Sequence, residues 1–172
     1  MLSSIPGVDP ARRRRLVEVL DIDETWRMHL VSDGQRRRVQ IACGLLRPAD
    51  VLLLDEVTVD LDILVREDLM TFLKAESEER RCTVVYITHI FDGLEAWPTH
   101  VAWMADGRIE SLQPAADIPE LRTGHLMEAV ERFLLRHHKR GGGARRAETA
   151  DKPFAYAVNN GYGAGRMNTT LA

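Results

Sequence analysis

"VLLLDE", Val51 to Glu56, is the stretch that decides the fold. Four apolar residues in succession, stopped by two carboxylates, suit a strand buried on both faces, as in a parallel sheet. Next comes an amphipathic helical pattern with Leu61, Val65, Leu69 and Phe72 on one stripe. A second apolar run, "TVVYITH", ends in His89. Strand, helix and strand in this order predict a right-handed βαβ unit. Such a unit sets Asp55, Glu56 and His89 at the carboxyl edge of one sheet, where open α/β sheets bind ligands.

Upstream, "DPARRRRLVEVL" (residues 9–20) reads as a helix with Asp9 as N-cap and Pro10 in the first turn. Leu16, Val19 and Leu20 form its apolar face, and the Arg12 to Arg15 run is expected on a solvated side. Ser32 and Gln35 make an S-x-x-Q capping box that opens a second helix, running to about Arg47 before Pro48. Val39, Ala42, Cys43 and Leu46 recur at helical spacing and are expected to be buried. Arg36, Arg37 and Arg38 crowd the start of that helix. Positive charge there opposes the helix dipole, so the arrangement calls for a negative partner.

Downstream, "HVAWMADGRIESL" predicts a hairpin turning at Asp106-Gly107. Residues 124 to 139 predict a last amphipathic helix through Leu126, Val130, Phe133 and Leu134. Six of the twelve glycines fall after residue 140, and residues 141–172 read as a disordered Gly-rich tail.

With 172 residues, 45% apolar and 28% charged, the chain can bury a real core. A net charge of −3 does not point to nucleic acid or a membrane surface, and the arginine clusters do not change that expectation. The apolar runs are far too short to span a bilayer, and "MLSSIPGVDP" lacks the pattern of a signal peptide. Cys43 and Cys82 match no metal-knuckle spacing, nor do the six histidines form a ligand pattern. The chain is expected in the cytoplasm, with the nucleus as a second compartment.

Each piece is weak alone: apolar strands often end in acids, and strand-end histidines are usually structural. Their order and spacing are specific. The chain resembles the C-terminal half of an ABC-type ATPase nucleotide-binding domain over roughly residues 9–110. "VSDGQRRRVQ" looks like the signature motif, "VLLLDE" like Walker B, "VDLD" like the D-loop and "YITH" like the H-loop. "DIDETWRMHLVSDGQRRRVQ", "DEVTVDLD" and "ITHIFDGLEAWPTH" look like the soluble ABC subfamily without transmembrane domains, which includes a fungal factor associated with the deadenylase complex.

The resemblance implies an α/β, partial P-loop NTPase fold. It has a parallel βαβ core and a helical signature subdomain over residues 1–140. It implies ATP and Mg²⁺ as cofactors, with Ser32, Gly34 and Gln35 contacting the nucleotide of an opposite subunit. Asp55 would hold the metal, Glu56 would polarise the attacking water, and His89 would contact the γ-phosphate. Asp62 would couple the two sites of a homo- or heterodimer. A deadenylase or transcription complex is a further implied partner. The arginines at the signature helix would meet phosphate or the dimer interface. Departures from the family pattern are Asp33 for the first signature glycine, Val57 for proline, and Val59-Asp60 for Ser-Ala.

The phosphate-gripping loop G-x-x-x-x-G-K-[ST] is missing, since none of Lys74, Lys139 and Lys152 follows a glycine. The Q-loop and the adenine-stacking aromatic of the family are missing too. By resemblance Met1 falls inside the family's domain: a truncated gene model, an alternative start or a real short form. Family activity is ATP hydrolysis, but this chain is expected to be inactive alone. A non-catalytic interaction or regulatory module is the alternative. Without the P-loop strand beside the strand ending in His89, an open strand edge and uncovered apolar surface are expected.

Overall fold

The computed structural model describes residues 5–141, without the side chains of 137–141. The tail expected over residues 141–172 lies, beyond Gly141, outside the described residues. The described chain divides after Arg132.

Helix α1 (Pro10–Val19) starts where expected, with the Asp9 carboxylate accepting from the Ala11 amide at 3.0 Å. Helix α2 (Asp33–Leu45) carries both halves of its capping box. The Gln35 amide donates to Ser32 Oγ (3.2 Å), and the Ser32 amide donates to Gln35 Oε1 (2.9 Å). It stops at Leu45, before Arg47, because the residue preceding Pro48 is pushed out of helical conformation. Its buried side is Val39, Ile41, Ala42, Leu45 and the capping Leu46. Cys43, expected on that stripe, is exposed, because Ile41 and Leu45 take the inner face beside Val39, Ala42 and Leu46.

Strand β1 (Val51–Asp55) and strand β2 (Thr83–Ile87) pair in parallel, with Val51 opposite Thr83 and Asp55 opposite Ile87. Helix α3 (Ile63–Arg80) connects them, so the expected βαβ order is present. Asp62 caps α3 and Leu61 precedes the helix. Val65, Leu69, Phe72 and Leu73 bury its inner face. Side chains alternate across a strand, and the inner face of β1 and β2 (Leu52, Leu54, Val84, Tyr86) packs on the core. The other face does not match the expectation of a strand buried on both sides. Val51, Leu53, Val85 and Ile87 are 55%, 75%, 42% and 46% exposed. Among the described residues this sheet has two strands, so nothing covers that face and each strand has an open edge.

Strands β3 (His100–Ala105) and β4 (Arg108–Pro114) form the expected antiparallel hairpin. Asp106 and Gly107 have φ of +51° and +74°, as a two-residue primed turn requires. A 3₁₀ turn (Ala115–Asp117) and the short helix α4 (Pro119–Arg122) lead to α5 (Leu126–Gly141). Leu126, Ala129 and Val130 of α5 are buried. Beyond Arg132 the helix continues as a separate unit, in which Leu134 is exposed.

In the Arg12 to Arg15 run, Arg14 and Arg15 are exposed as expected and Arg13 is half-buried, but Arg12 departs from expectation. Arg12 is buried, with Nη1 and Nη2 each 2.8 Å from the Glu76 carboxylate on α3 and Nε donating to the Leu45 carbonyl of α2 at 2.7 Å. Arg12 and Arg15 also lie over the Phe72 ring, at 5.4 and 5.2 Å from its centroid. Arg12 therefore ties α1, α2 and α3 together.

Candidate functional site

At the end of β1 the chain turns sharply. Glu56 has φ of +46°, a left-handed conformation that a non-glycine residue adopts only under constraint. Its amide donates to the Ile87 carbonyl at the end of β2 (3.0 Å), which continues the parallel pairing by one residue. The turn swings the carboxylate toward the segment after β2. There Oε1 lies 2.8 Å from His89 Nδ1, and Thr88 Oγ1 reaches Oε2 at 3.5 Å. His89 is 71% exposed and the Glu56 side chain 34%, so the pair opens to solvent. The backbone after His89 is held from α3, where Arg66 donates to the carbonyls of Asp92 (2.6 Å) and Ile90 (3.4 Å).

Asp55 is exposed and shares a strand face with Val51 and Leu53. Among the described residues its carboxylate has no hydrogen-bonding partner, and no cluster of three or more His, Cys, Asp or Glu forms a protein-only metal cage. One free hard oxygen ligand fits Mg²⁺, which commonly takes one or two carboxylates and draws its other ligands from water and substrate phosphates.

The loop after Glu56 is anchored on two sides. Thr58, 1% exposed, shares a 2.7 Å hydrogen bond with the Tyr86 hydroxyl, and Tyr86 packs edge-on against Trp97. On the other side is α2. A Cβ on Gly34 would come within 2.9 Å of the Asp60 carbonyl oxygen, so only glycine allows this approach. Asp62 accepts from the Val65 amide and pairs with Arg38. The Val65 amide first, and then the Arg38 charge, hold its carboxyl below the ordinary value. Asp62, expected to act across a dimer, is thus engaged within its own chain.

Ser32 and Gln35 bond to each other, as the capping box demands. Asp33 and Gly34 N–H, in the same first turn, have no partner among the described residues, so the helix entrance keeps two donors aimed outward. Asp33 is offset by Arg36 at 2.7 Å. Each of the three arginines has partners within the chain. Arg36 pairs with Asp33, Arg37 donates to the Glu56 and Val57 carbonyls (3.1 and 3.3 Å), and Arg38 bridges Asp21 (2.8 Å) and Asp62. Negative partners within the chain satisfy the demand raised by their position. The structure therefore joins Glu56 with His89, and Gly34 with the segment leading to Asp62, while Asp55 stands free. The sequence does not mark Thr58, Tyr86, Arg37 or Arg66 as site residues; only the arginine run carries a signal for one of them.

A family model described as "AAA domain, putative AbiEii toxin, Type IV TA system" matches residues 17–94. ABC transporter I family member 20 of Arabidopsis thaliana is 46% identical, over 100% of this chain and 57% of that protein. CCR4-associated factor 16 of Saccharomyces cerevisiae is 62% identical over 63% of this chain and 38% of its own length. The chain thus spans about half the length of the curated relatives it matches. A dimeric bacterial ABC transporter cassette superposes with a TM-score of 0.54 at 27% identity, over 61% of this chain and 46% of that one. A post-hydrolysis state of that cassette, bound to ADP and Pi, gives 0.55 at 25% identity, over 66% of this chain and 52% of the other. No helix among the described residues is long and apolar enough to cross a membrane. The chain is a partial ABC-type ATPase domain, similar to the ABC transporter I family proteins and to CCR4-associated factor 16.

Proposed function

We propose that this chain supplies the signature helix, the Walker B carboxylates and the switch histidine of an ATP-hydrolysing ABC cassette, and that it depends on another polypeptide segment to grip the triphosphate. The observation that carries the reading is the 2.8 Å contact between Glu56 and His89 beside a strained backbone turn. A carboxylate whose backbone is forced into a left-handed turn and whose oxygen meets an exposed imidazole suits a water-polarising role. When bound, Mg-ATP would bring the electrophilic phosphorus and neutralise developing charge. Asp55 supplies a free oxygen for the metal, Glu56 takes a proton from water, and His89 holds the Glu56 carboxylate in place while its other ring nitrogen remains available to a phosphate oxygen.

Ser32, Gly34 and Gln35 play the complementary part. The two outward N–H groups at the α2 entrance suit the γ-phosphate of a nucleotide on a dimer partner. The dimeric cassettes among the structural neighbours support a partner of that kind. Asp62 serves that pairing indirectly: it fixes the segment at the helix entrance. Residues 1–140 make up the cassette portion and 141–172 an appended tail. The reading places the protein in the cytoplasm.

Mg-ATPase assay of the isolated 172-residue chain tests the dependence on another segment. No turnover above buffer is expected. Robust turnover that Glu56→Gln abolishes would show that the chain grips ATP unaided.

A second reading rests on the uncovered apolar sheet face, which suits a chain that works by binding another protein. In that case it is a non-catalytic regulatory module, with a deadenylase or transcription complex as its proposed partner. Binding that ignores nucleotide separates this reading from the first.

A further inference from the structure

The Glu56 peptide is held at both ends. Its N–H donates across to Ile87 at the tip of β2 (3.0 Å). Its C=O and that of Val57 accept from one guanidinium, Arg37 Nη2 at 3.1 Å and Nε at 3.3 Å. Between these anchors the residue sits at φ +46°, a region that L side chains leave unless the surroundings over-determine it. With that conformation fixed, the carboxylate lies 2.8 Å from His89 Nδ1.

We propose that Arg37 is a positioning residue: its guanidinium fork clamps the Glu56-Val57 backbone in the left-handed turn that presents the Glu56 carboxylate to His89. The proposal rests on the reading of Glu56 and His89 as the working pair of the cassette. Three features single out Arg37. It is part-buried where it meets these carbonyls, so the bonds are shielded from competing water. It spans two successive carbonyls with a planar fork, which a lysine ammonium cannot do with fixed geometry. It also comes from the second turn of α2, the helix whose entrance Ser32 caps. A shift of that helix would therefore pull directly on the Glu56 turn, so the phosphate-facing entrance and the carboxylate are mechanically one piece in this chain.

Amide hydrogen exchange by NMR on the full chain tests this, comparing wild type, Arg37→Ala, Arg37→Lys and Glu56→Gln. The proposal expects Arg37→Ala to cut protection of the Glu56 N–H by about tenfold or more, as loss of a hydrogen bond's worth of local stability implies. The β1–β2 ladder amides should stay within about twofold of wild type, since local opening leaves the sheet paired. The His89 ring ¹⁵N shifts should move toward those of Glu56→Gln. Arg37→Lys should show the same pattern at smaller amplitude. Unchanged Glu56 protection, or a loss shared equally by the ladder, would overturn the proposal, the second by showing Arg37 to be only a general support. If Arg37→Ala does not fold, Arg37→Lys is measured on the same two sets of amides, where selective loss at Glu56 supports the clamp and either of the other two patterns overturns it. No ATP enters the measurement, so a failure of the hydrolytic reading would leave its outcome unchanged.

Discussion

Replacing Arg12 by alanine removes a side chain that touches three helices at once. In the folded chain Arg12 and Glu76 are 9% and 3% exposed, and both guanidinium amino groups meet the carboxylate at 2.8 Å. After Arg12→Ala, Glu76 keeps only the half-exposed Arg80 at 3.6 Å, and the Leu45 carbonyl loses its 2.7 Å donor. Breaking a buried ion pair from one side costs about 3–5 kcal/mol, because the surviving charge stays desolvated. For a chain of this size that corresponds to a fall in Tm of about 6–20 °C, at about 2–4 °C per kcal/mol. Urea denaturation followed by circular dichroism gives the free energy directly. The double variant Arg12→Met/Glu76→Leu decides the cause. It removes both charges, leaving chiefly the unpaired Leu45 carbonyl at about 1–3 kcal/mol, so it should be more stable than Arg12→Ala. A loss below about 1 kcal/mol for Arg12→Ala would refute the buried-pair account. So would a double variant whose loss is the plain sum of the two single losses.

Tyr86→Phe should destabilise by about 1–3 kcal/mol in the same urea assay, because it strands the buried Thr58 hydroxyl. The Asp62 carboxyl titrates below its ordinary value, so its contribution is present above the unfolded-state pKa and lost as pH falls through the lower folded value. Stability measured against pH should therefore drop on the acid side of the ordinary carboxylate range, and Asp62→Asn, which can still cap α3, should flatten that part of the curve. In native buffer a maleimide should modify exposed Cys43, whereas Cys82 reacts on unfolding. Burial and then the Glu76 charge push the Cys82 thiol upward, so it is both shielded and less ionised. Mass spectrometry of peptides labelled with and without urea reads both sites.

The elements were legible because their signals are local. Asp9-Pro10, Ser32 with Gln35, and Asp106-Gly107 each fix a helix start or turn within four residues, and the short apolar runs at Val51 and Thr83 suit strands. The meeting of Glu56 and His89 followed from topology, since parallel strands bring their carboxyl ends together. Burial of charge was illegible. Arg12 looks like its three neighbours until Glu76, 64 residues away, arrives beside it. Arg36 to Arg38 likewise found carbonyls and carboxylates that only the folded loop presents. An all-apolar strand suggests burial on both faces, yet such burial needs a second layer, and the described residues place one on the inner face alone. The left-handed turn at Glu56 left no mark either, since glutamate is not a residue that announces one.

Sedimentation velocity of this chain mixed with a complete ABC domain whose own Walker B glutamate is changed to Gln, with and without Mg-ATP, measures the proposed pairing. A heterodimer should form with ATP and be lost on Ser32→Arg. Glu56→Gln should leave it intact, because in the proposed function Glu56 serves the site of its own chain while Ser32 would meet the partner's nucleotide. Association that is equal with and without ATP, or that survives Ser32→Arg, would contradict the proposed pairing.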